Sequence, residues 1–401
     1  MSQSNRTEND TISAPTVMDV LDQTTSRTMS DSLAAKEAQR ETPTAARSGE
    51  QIASLNGLRA ISVIIVIGSH LATSVSTPSS ISGISQLFNG YLFDGALGVR
   101  MFFCISGFLI THLLLSEKDR TGKISLKTFY IRRTLRIWPV LYVFVLFLFV
   151  MSQTTALTIT PCQYVTALTF TKNHGCSSWI DGHLWSLAVE LQFYAIWPAV
   201  IVLCSTRTVI KLAIAAILIA PVSRLIEAGA DLPRWWLTSN IDTLMCGGLA
   251  AYAQKLHRAL FDRILNTRPT LSRCGGFAIL VTPVIVARQF PHASLQIMLG
   301  PTIQAFGATY LIASYARGPA GAIKTILNSR PLNFLGIISF SLYIWQEPFF
   351  IWPSDFGFQK LLTFEWPFNI IGMLIVATAS YYCFERPLLS LRRKYNTAHG
   401  S

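Results

Sequence analysis

Two ionisable residues lie in the apolar segment LNGLRAISVIIVIGSH at a spacing that puts them on one face of a helix. Arg59 and His70 are eleven residues apart, and at about 100° per residue this is about 20° more than three full turns. A neutral imidazole can take a proton from a hydroxyl at neutral pH, whereas a guanidinium binds phosphate. The pair is therefore a candidate for chemistry, although Arg59 could instead be an anchor at a membrane edge. His70 could instead form an interhelical hydrogen bond.

Other apolar segments also carry polar groups. GALGVRMFFCISGFLIT contains Arg100, together with Ser106, which allows close helix approach. HLWSLAVELQFY contains Glu190, which is either a catalytic carboxylate or the ion-pair partner of Arg100, each offsetting the cost of burying the other. Asp242 opens a later apolar segment, where it could act as a helix N-cap. An ionisable group inside an apolar segment is a functional hypothesis because its burial is costly.

The composition indicates a membrane protein. Of the 401 residues, 51% are hydrophobic and only 13% are charged, whereas soluble domains carry about 25% charged residues. A stretch of about 20 apolar residues can span a bilayer. The seven cysteines show no CxxC spacing, so the sequence predicts neither a zinc site nor a redox motif, and no metal is expected.

The apolar runs predict an all-α, polytopic transmembrane helix bundle of about ten spans. Residues 1–50 lack an apolar stripe and an apolar signal region, which predicts a disordered cytoplasmic tail. The transmembrane domain is predicted to cover residues 51–394, followed by a C-terminal tail at 395–401. The predicted spans are 57–75, 97–115, 137–156, 184–204, 209–223, 240–254, 274–290, 294–314, 333–353 and 367–385.

The basic residues predict the orientation. With both termini in the cytoplasm, the predicted inner segments hold 21 Lys and Arg residues and the outer loops hold 5, including Arg224. This asymmetry follows the positive-inside rule and accounts for the net charge of +12 without nucleic acid. We expect a multi-pass protein of a bacterial inner membrane, with the loop 157–183 outside.

Seven segments together resemble the acyltransferase 3 family of membrane acyltransferases. They are LNGLRAISVIIVIGSH, GVRMFFCISGFLITHLL, FYIRRTLRIWPVLYV, HLWSLAVELQFYAIWP, NIDTLMCGGLAAY, ISFSLYIWQEP and FERPLLSLRRK, within about residues 52–394. The resemblance places the family's signature of Arg, ten residues and His on Arg59 and His70. It implies transfer of an acyl group, usually acetyl, from cytoplasmic acyl-CoA to a hydroxyl at or across the membrane.

The chain departs from the family pattern mainly where the acceptor would bind. It has Arg100 where many members have Asp, Leu191 in place of a second Glu, Asn240 in place of an Arg, and Gln346 in place of a His. Many relatives append an esterase-like domain, whereas we expect only the membrane module here.

The resemblance implies a membrane O-acetyltransferase that acts on a saccharide or glycolipid, with acetyl-CoA as the donor. The acceptor could be an exopolysaccharide, a lipopolysaccharide, a nodulation-type lipo-oligosaccharide or a macrolide. The rival hypothesis is a carrier or flippase for a saccharide or lipid, and the oligomeric state is not predicted.

Three groups of residues are assigned on this basis. We assign catalysis to His70, as general base or acyl carrier, and to Glu190. The predicted CoA-phosphate site is Arg59, Arg132, Arg133 and Arg136, the last three of which could instead be topology signals. The predicted acceptor site consists of Arg100, Ser106, His183, Trp185, Asp242 and Tyr343.

Cys162 and Cys176 lie fourteen residues apart in the predicted outer loop. That loop would face an oxidising compartment, so a disulfide between them is predicted. The alternative is two unpaired thiols, because sequence spacing does not fix the Cα separation.

Overall fold

The computed structural model describes residues 53–72, 94–233, 235–350, 356–357 and 366–390. The predicted tails at 1–50 and 395–401 lie outside these residues. Throughout the described part of the chain the regular structure is helical, with no strand. The prediction of an all-α helix bundle is therefore confirmed.

Long helices alternate with short ones along the chain. The first six are α1 (Ala53–Ala72), α2 (Gly95–Thr121), α3 (Leu126–Thr154), α4 (Pro161–Leu168), α5 (Trp179–Gly182) and α6 (Leu184–Leu203). The next five are α7 (Thr206–Gly229), α8 (Leu237–Leu256), α9 (Arg258–Asn266), α10 (Pro269–Gln289) and α11 (Ser294–Arg317). The last four are α12 (Ala322–Leu327), α13 (Arg330–Ile337), α14 (Ser339–Trp345) and α15 (Phe368–Ser390), of which α15 contains a π-helical turn at Tyr381–Glu385.

Eight helices in the described residues are long and apolar enough to cross a membrane. They correspond to eight of the ten predicted spans. The predicted span 240–254 is the helix α8, which is 20 residues long but carries polar residues that lower its hydropathy. The predicted span 333–353 is not one helix. It consists of α13, α14 and a 3₁₀ turn at Glu347–Phe349, and residues 351–353 lie outside the described part.

Helix α8 packs very closely against α2 in the core of the bundle. A Cβ atom on Gly107 of α2 would lie 1.9 Å from the carbonyl oxygen of Leu244, and one on Gly247 of α8 would lie 2.1 Å from that of Cys104. Glycine at these two positions therefore lets the two backbones touch, as small residues do in membrane helix pairs. This contact places the polar side chains of α8 inside the protein rather than in lipid.

Helix α1 is held at its N-terminal end by α12 and α13. Ser54 donates a hydrogen bond to Asn328 (2.8 Å), and Asn56 donates one to Asn333 (2.7 Å). Further along the helix, α1 contacts α2 at Ser62, where a Cβ atom on Gly98 of α2 would lie 2.7 Å from the carbonyl oxygen of Ser62. The helix that carries Arg59 and His70 is thus fixed on two sides.

Arg224 corrects one detail of the predicted topology. This residue was predicted to lie in an outer loop, but it lies inside α7 and is only 2% exposed. Its guanidinium forms an ion pair with Asp242 of α8 and donates to the carbonyl oxygen of Met298 (2.5 Å). An arginine is stable at this depth because a carboxylate and several oxygens satisfy its donors.

The segment between α3 and α6 is compact. Cys162 and Cys176 form a disulfide in the structure, with Cα atoms 5.8 Å apart. In the same segment, Lys172 and Asp181 form a buried ion pair, and each side chain is only 1% exposed. Burial lowers the pKa of Lys172, and the hydrogen bond and charge of Asp181 oppose that shift.

Candidate active site

His70 lines a cavity of about 530 Å³, which we call the His70 cavity. Its Nδ1 atom lies 2.7 Å from Oε1 of Glu347, a buried carboxylate that is 3% exposed. His70 itself is 22% exposed, so its imidazole can meet a molecule in the cavity. The other oxygen of Glu347, Oε2, has no hydrogen-bond partner among the described residues. A histidine paired with a carboxylate at a cavity wall is an arrangement suited to proton transfer.

Glu347 was not identified in the sequence analysis. It opens the 3₁₀ turn that follows α14, and this break in the predicted ninth span brings its carboxylate to α1. The signal was present in ISFSLYIWQEP, because a carboxylate in an apolar stretch needs a partner or a function.

Three predicted acceptor residues line the same cavity: His183, Trp185 and Tyr343. The hydroxyl of Tyr343 donates to the carbonyl oxygen of His183 (2.8 Å) and is hydrogen-bonded to Ser186. His183 and Trp185 are brought there by the start of α6, directly after the disulfide-bonded segment. The structure thus brings these three residues together with His70.

Arg100 lines a neighbouring cavity of about 560 Å³, which we call the Arg100 cavity. The two cavities share Trp185 and Trp235, whose rings stack with centroids 5.9 Å apart. Arg100 donates a hydrogen bond to Gln304 (2.5 Å). No ion pair with Glu190 is found for it in the described part of the chain, which leaves the alternative of a structural Arg100–Glu190 pair without support.

Three of the four predicted phosphate-binding arginines line one small cavity, the arginine cavity, of about 40 Å³: Arg59, Arg133 and Arg136. The guanidinium carbon of Arg133 lies 5.1 Å from the ring centroid of Tyr194. Arg132 points elsewhere, and its Nη2 lies 3.1 Å from Glu117. Consecutive helical residues lie about 100° apart around the axis, so Arg132 and Arg133 cannot share one direction.

Glu190 and Ser106 line the arginine cavity rather than the His70 cavity. The Glu190 carboxylate accepts hydrogen bonds from Ser106 and from Tyr194. The structure therefore separates the two residues that the sequence analysis paired in catalysis, and it groups Glu190 with the arginines.

A fourth cavity of about 60 Å³ adjoins the arginine cavity and the His70 cavity, and we call it the linking cavity. It shares Arg59, Ser106 and Glu190 with the arginine cavity, and Val99 and Tyr343 with the His70 cavity. A row of cavities therefore runs from the guanidiniums to the imidazole.

Asp242, a predicted acceptor residue, does not line any of these four cavities. It is fully buried inside α8, so it is not the N-cap, and it accepts a hydrogen bond from Thr302 (2.5 Å) besides its ion pair with Arg224. These contacts give it a structural role between α7, α8 and α11. Within the described residues, no group of three or more His, Cys, Asp or Glu side chains could hold a metal ion.

Comparisons with known proteins agree with this architecture. Residues 52–385 match the model of the acyltransferase 3 family, described as an acyltransferase domain. The chain is 28% identical over 364 residues to the O-acetyltransferase OatA of Staphylococcus aureus, covering 83% of this chain and 56% of the relative. It is 26% identical over 327 residues to the peptidoglycan O-acetyltransferase OatA of Listeria monocytogenes, covering 75% and 50%.

The chain thus spans about half the length of these curated relatives. No solved structure matches it. The family model covers most of the chain, including the helices that carry Arg59, His70, Arg133 and Glu190, and the chain therefore belongs to the acyltransferase 3 family.

Proposed function

We propose that the protein is a membrane O-acetyltransferase that transfers acetyl from acetyl-CoA to a hydroxyl of a saccharide. One observation carries the proposal. Helix α1 presents Arg59 to the arginine cavity and His70 to the His70 cavity, and the linking cavity adjoins both. A donor phosphate and an acceptor hydroxyl would thus be bound at opposite ends of one helix face, about 16 Å apart along the axis.

His70 would act as the general base. A proton on Nδ1, which faces the Glu347 carboxylate at 2.7 Å, would leave the lone pair on Nε2, and Nε2 could then accept the proton of the acceptor hydroxyl. Glu347 would hold the imidazole in that tautomer and stabilise the imidazolium that forms, as the carboxylate of a hydrolase triad does. The oxygen anion of the transition state would need donors, and the Tyr343 hydroxyl could serve only by giving up its hydrogen bond to the carbonyl oxygen of His183.

The arginine cavity fits the donor by charge but not by size. Three guanidiniums would suit the phosphates of CoA, with bidentate geometry available to each. A single water needs about 10–15 Å³, so a cavity of about 40 Å³ admits only a few waters and no nucleotide. Donor binding would therefore require the side chains around the arginine and linking cavities to separate. Ser186 and Tyr343, which are hydrogen-bonded to each other, are among the side chains that line the linking cavity.

The acceptor site would comprise the His70 and Arg100 cavities with the tryptophan pair between them. Their volumes of about 530 and 560 Å³ fall in the range of small-ligand sites. The name of the Listeria relative makes peptidoglycan fragments suitable first acceptors to test, beside the exopolysaccharide, lipopolysaccharide and lipo-oligosaccharide classes.

The experiment is a reconstitution of the full chain in liposomes with acetyl-CoA inside and an acceptor saccharide outside. We expect acceptor-dependent release of free CoA and a mass gain of one acetyl group on the saccharide. A carrier or flippase would instead move saccharide or lipid without releasing CoA. Movement of saccharide with intact acetyl-CoA would contradict the proposal.

A further inference from the structure

A third large cavity adjoins a different face of α1 from the His70 cavity. It has a volume of about 700 Å³ and runs between α1, α10 and α11. Its lining is mostly aliphatic and aromatic, and six of its residues are Leu58, Ile61, Ile65, Phe277, Leu280 and Leu311. Phe277 is 55% exposed, so the cavity opens at the surface of the bundle, and we call it the apolar groove.

One end of the apolar groove is cationic. Arg273, near the start of α10, lines that end, and its guanidinium carbon lies 4.9 Å from the ring centroid of Tyr315. Its hydrogen bonds go to the Ser314 hydroxyl (2.9 Å) and to the carbonyl oxygen of Pro319 (2.8 Å). Both acceptors are neutral, and no described carboxylate lies within ion-pair distance of Arg273. Its positive charge is thus hydrogen-bonded but not neutralised.

Glycines keep this guanidinium accessible. A Cβ atom on Gly318 would lie 3.0 Å from one terminal nitrogen of Arg273, and one on Gly321 would lie 3.5 Å from the other. Larger residues at these positions would cover the charge. Lys324 of α12 is buried and donates to the carbonyl oxygen of Gly318 (3.0 Å), which fixes the backbone next to Arg273.

These features match an anionic phospholipid. An apolar groove on a membrane-spanning bundle is filled by hydrocarbon, because water gains no hydrogen bonds there. Its charged end belongs to the loops predicted to be cytoplasmic, where anionic lipids attract Lys and Arg. We propose that the apolar groove binds one acyl chain of an anionic phospholipid, with the lipid phosphate at Arg273.

The site would connect membrane composition to the catalytic helix. Leu58, Ile61 and Ile65 face the lipid chain, while Arg59 and His70 on the same helix line the arginine and His70 cavities. A bound acyl chain would add packing contacts to the face of α1 that carries Leu58, Ile61 and Ile65. The inference does not depend on the proposed reaction, because it concerns a groove that shares no residue with the His70 cavity.

The test uses the purified full chain in nanodiscs of phosphatidylcholine, with and without phosphatidylglycerol. Native mass spectrometry should show one tightly retained phosphatidylglycerol on the wild-type protein, and the thermal midpoint should rise with phosphatidylglycerol. Arg273→Gln should lower the preference for phosphatidylglycerol over phosphatidylcholine about fivefold, as expected for one cation at an anionic lipid surface. Arg273→Lys should retain most of the preference.

Two further variants locate the site. Arg288→Gln, at the other end of the same helix α10, is the matched control and should leave the preference unchanged. Ala322→Trp, at an exposed position that lines the groove, should displace the retained lipid whatever its headgroup. Retained preference in Arg273→Gln, or retained lipid in Ala322→Trp, would overturn the proposal.

Discussion

At the scale of single residues, the contact between His70 and Glu347 leads to the first prediction. His70→Ala should lower turnover about 10²- to 10⁴-fold, the usual contribution of a general base, while the protein still inserts in the membrane. Glu347→Gln should lower kcat with little change in the KM for acetyl-CoA, because an amide cannot hold the same tautomer or stabilise the imidazolium. Steady-state kinetics on both variants checks the two expectations.

A merely structural role for Glu347 is separable from a positioning role. A positioning role predicts that Glu347→Gln changes the pH profile of kcat and that Glu347→Asp restores part of the activity. Loss of folded protein in both variants with an unchanged pH profile would favour the structural role. Turnover of His70→Ala like that of the wild type would remove His70 from the mechanism.

Two adjacent arginines provide the second prediction, because they point to different partners. Arg133 lines the arginine cavity, whereas Arg132 pairs with Glu117. Arg133→Ala should raise the KM for acetyl-CoA about tenfold or more, the effect of losing a hydrogen bond to a charged group. Arg132→Ala is the matched control and should change KM little. Arg59→Ala should behave like Arg133→Ala, and unchanged donor affinity would return Arg59 to the role of membrane anchor.

At the scale of helices, the contact between α2 and α8 determines where the polar face of α8 lies. Gly107→Ala or Gly247→Ala should destabilise the protein by about 1–3 kcal/mol, because the added methyl would meet backbone rather than a movable side chain. Gly275→Ala in α10 is the control, since no atom beyond the neighbouring backbone of its own helix lies within 4 Å of its Cβ position.

The control should be neutral or stabilising by about 0.5–1 kcal/mol, because glycine inside a helix costs conformational entropy. Thermal unfolding in detergent compares the three variants. Equal stability of all three would show that α2 and α8 are not in backbone contact.

The segment between α3 and α6 provides a redox prediction. Cys162 and Cys176 should resist thiol labelling in intact cells until a reductant is added, if the segment faces an oxidising compartment. Closing a loop of this length stabilises by about 3 kcal/mol in the chain-entropy model. Labelling of both cysteines without reductant would contradict the bridge. Because the segment leads into His183 and Trp185, loss of the disulfide should also weaken acceptor binding more than donor binding.

At the scale of the whole molecule, the orientation in the membrane is a prediction from the charges of the loops. Residues 1 and 401 should both be cytoplasmic, and residues 157–183 should lie outside. Reporter fusions at each terminus and within the segment provide the measurement. A terminus found outside would refute the even number of crossings that the charge asymmetry implies.

Much of the fold could be predicted from the sequence, because it depends on local properties. Apolar runs long enough to span a bilayer identified the long helices, since a backbone in lipid must satisfy its own hydrogen bonds. The spacing of Arg59 and His70 placed both on one face of α1, because helical periodicity is a local geometry. The same periodicity directs Arg132 and Arg133 to different sides of α3, although both had been placed in the predicted CoA-phosphate site because of their charge.

Contacts between distant segments were decided only by the tertiary structure. The sequence did not show that the span predicted at 333–353 breaks before Glu347, that Glu347 meets His70, or that Glu190 lies with the arginines instead. Nor did it show that Arg224 is buried against Asp242. Periodicity and hydropathy determine which face of a helix is polar. Which polar faces meet depends on the packing of helices far apart in the chain, and small residues such as Gly107 and Gly247 set that packing.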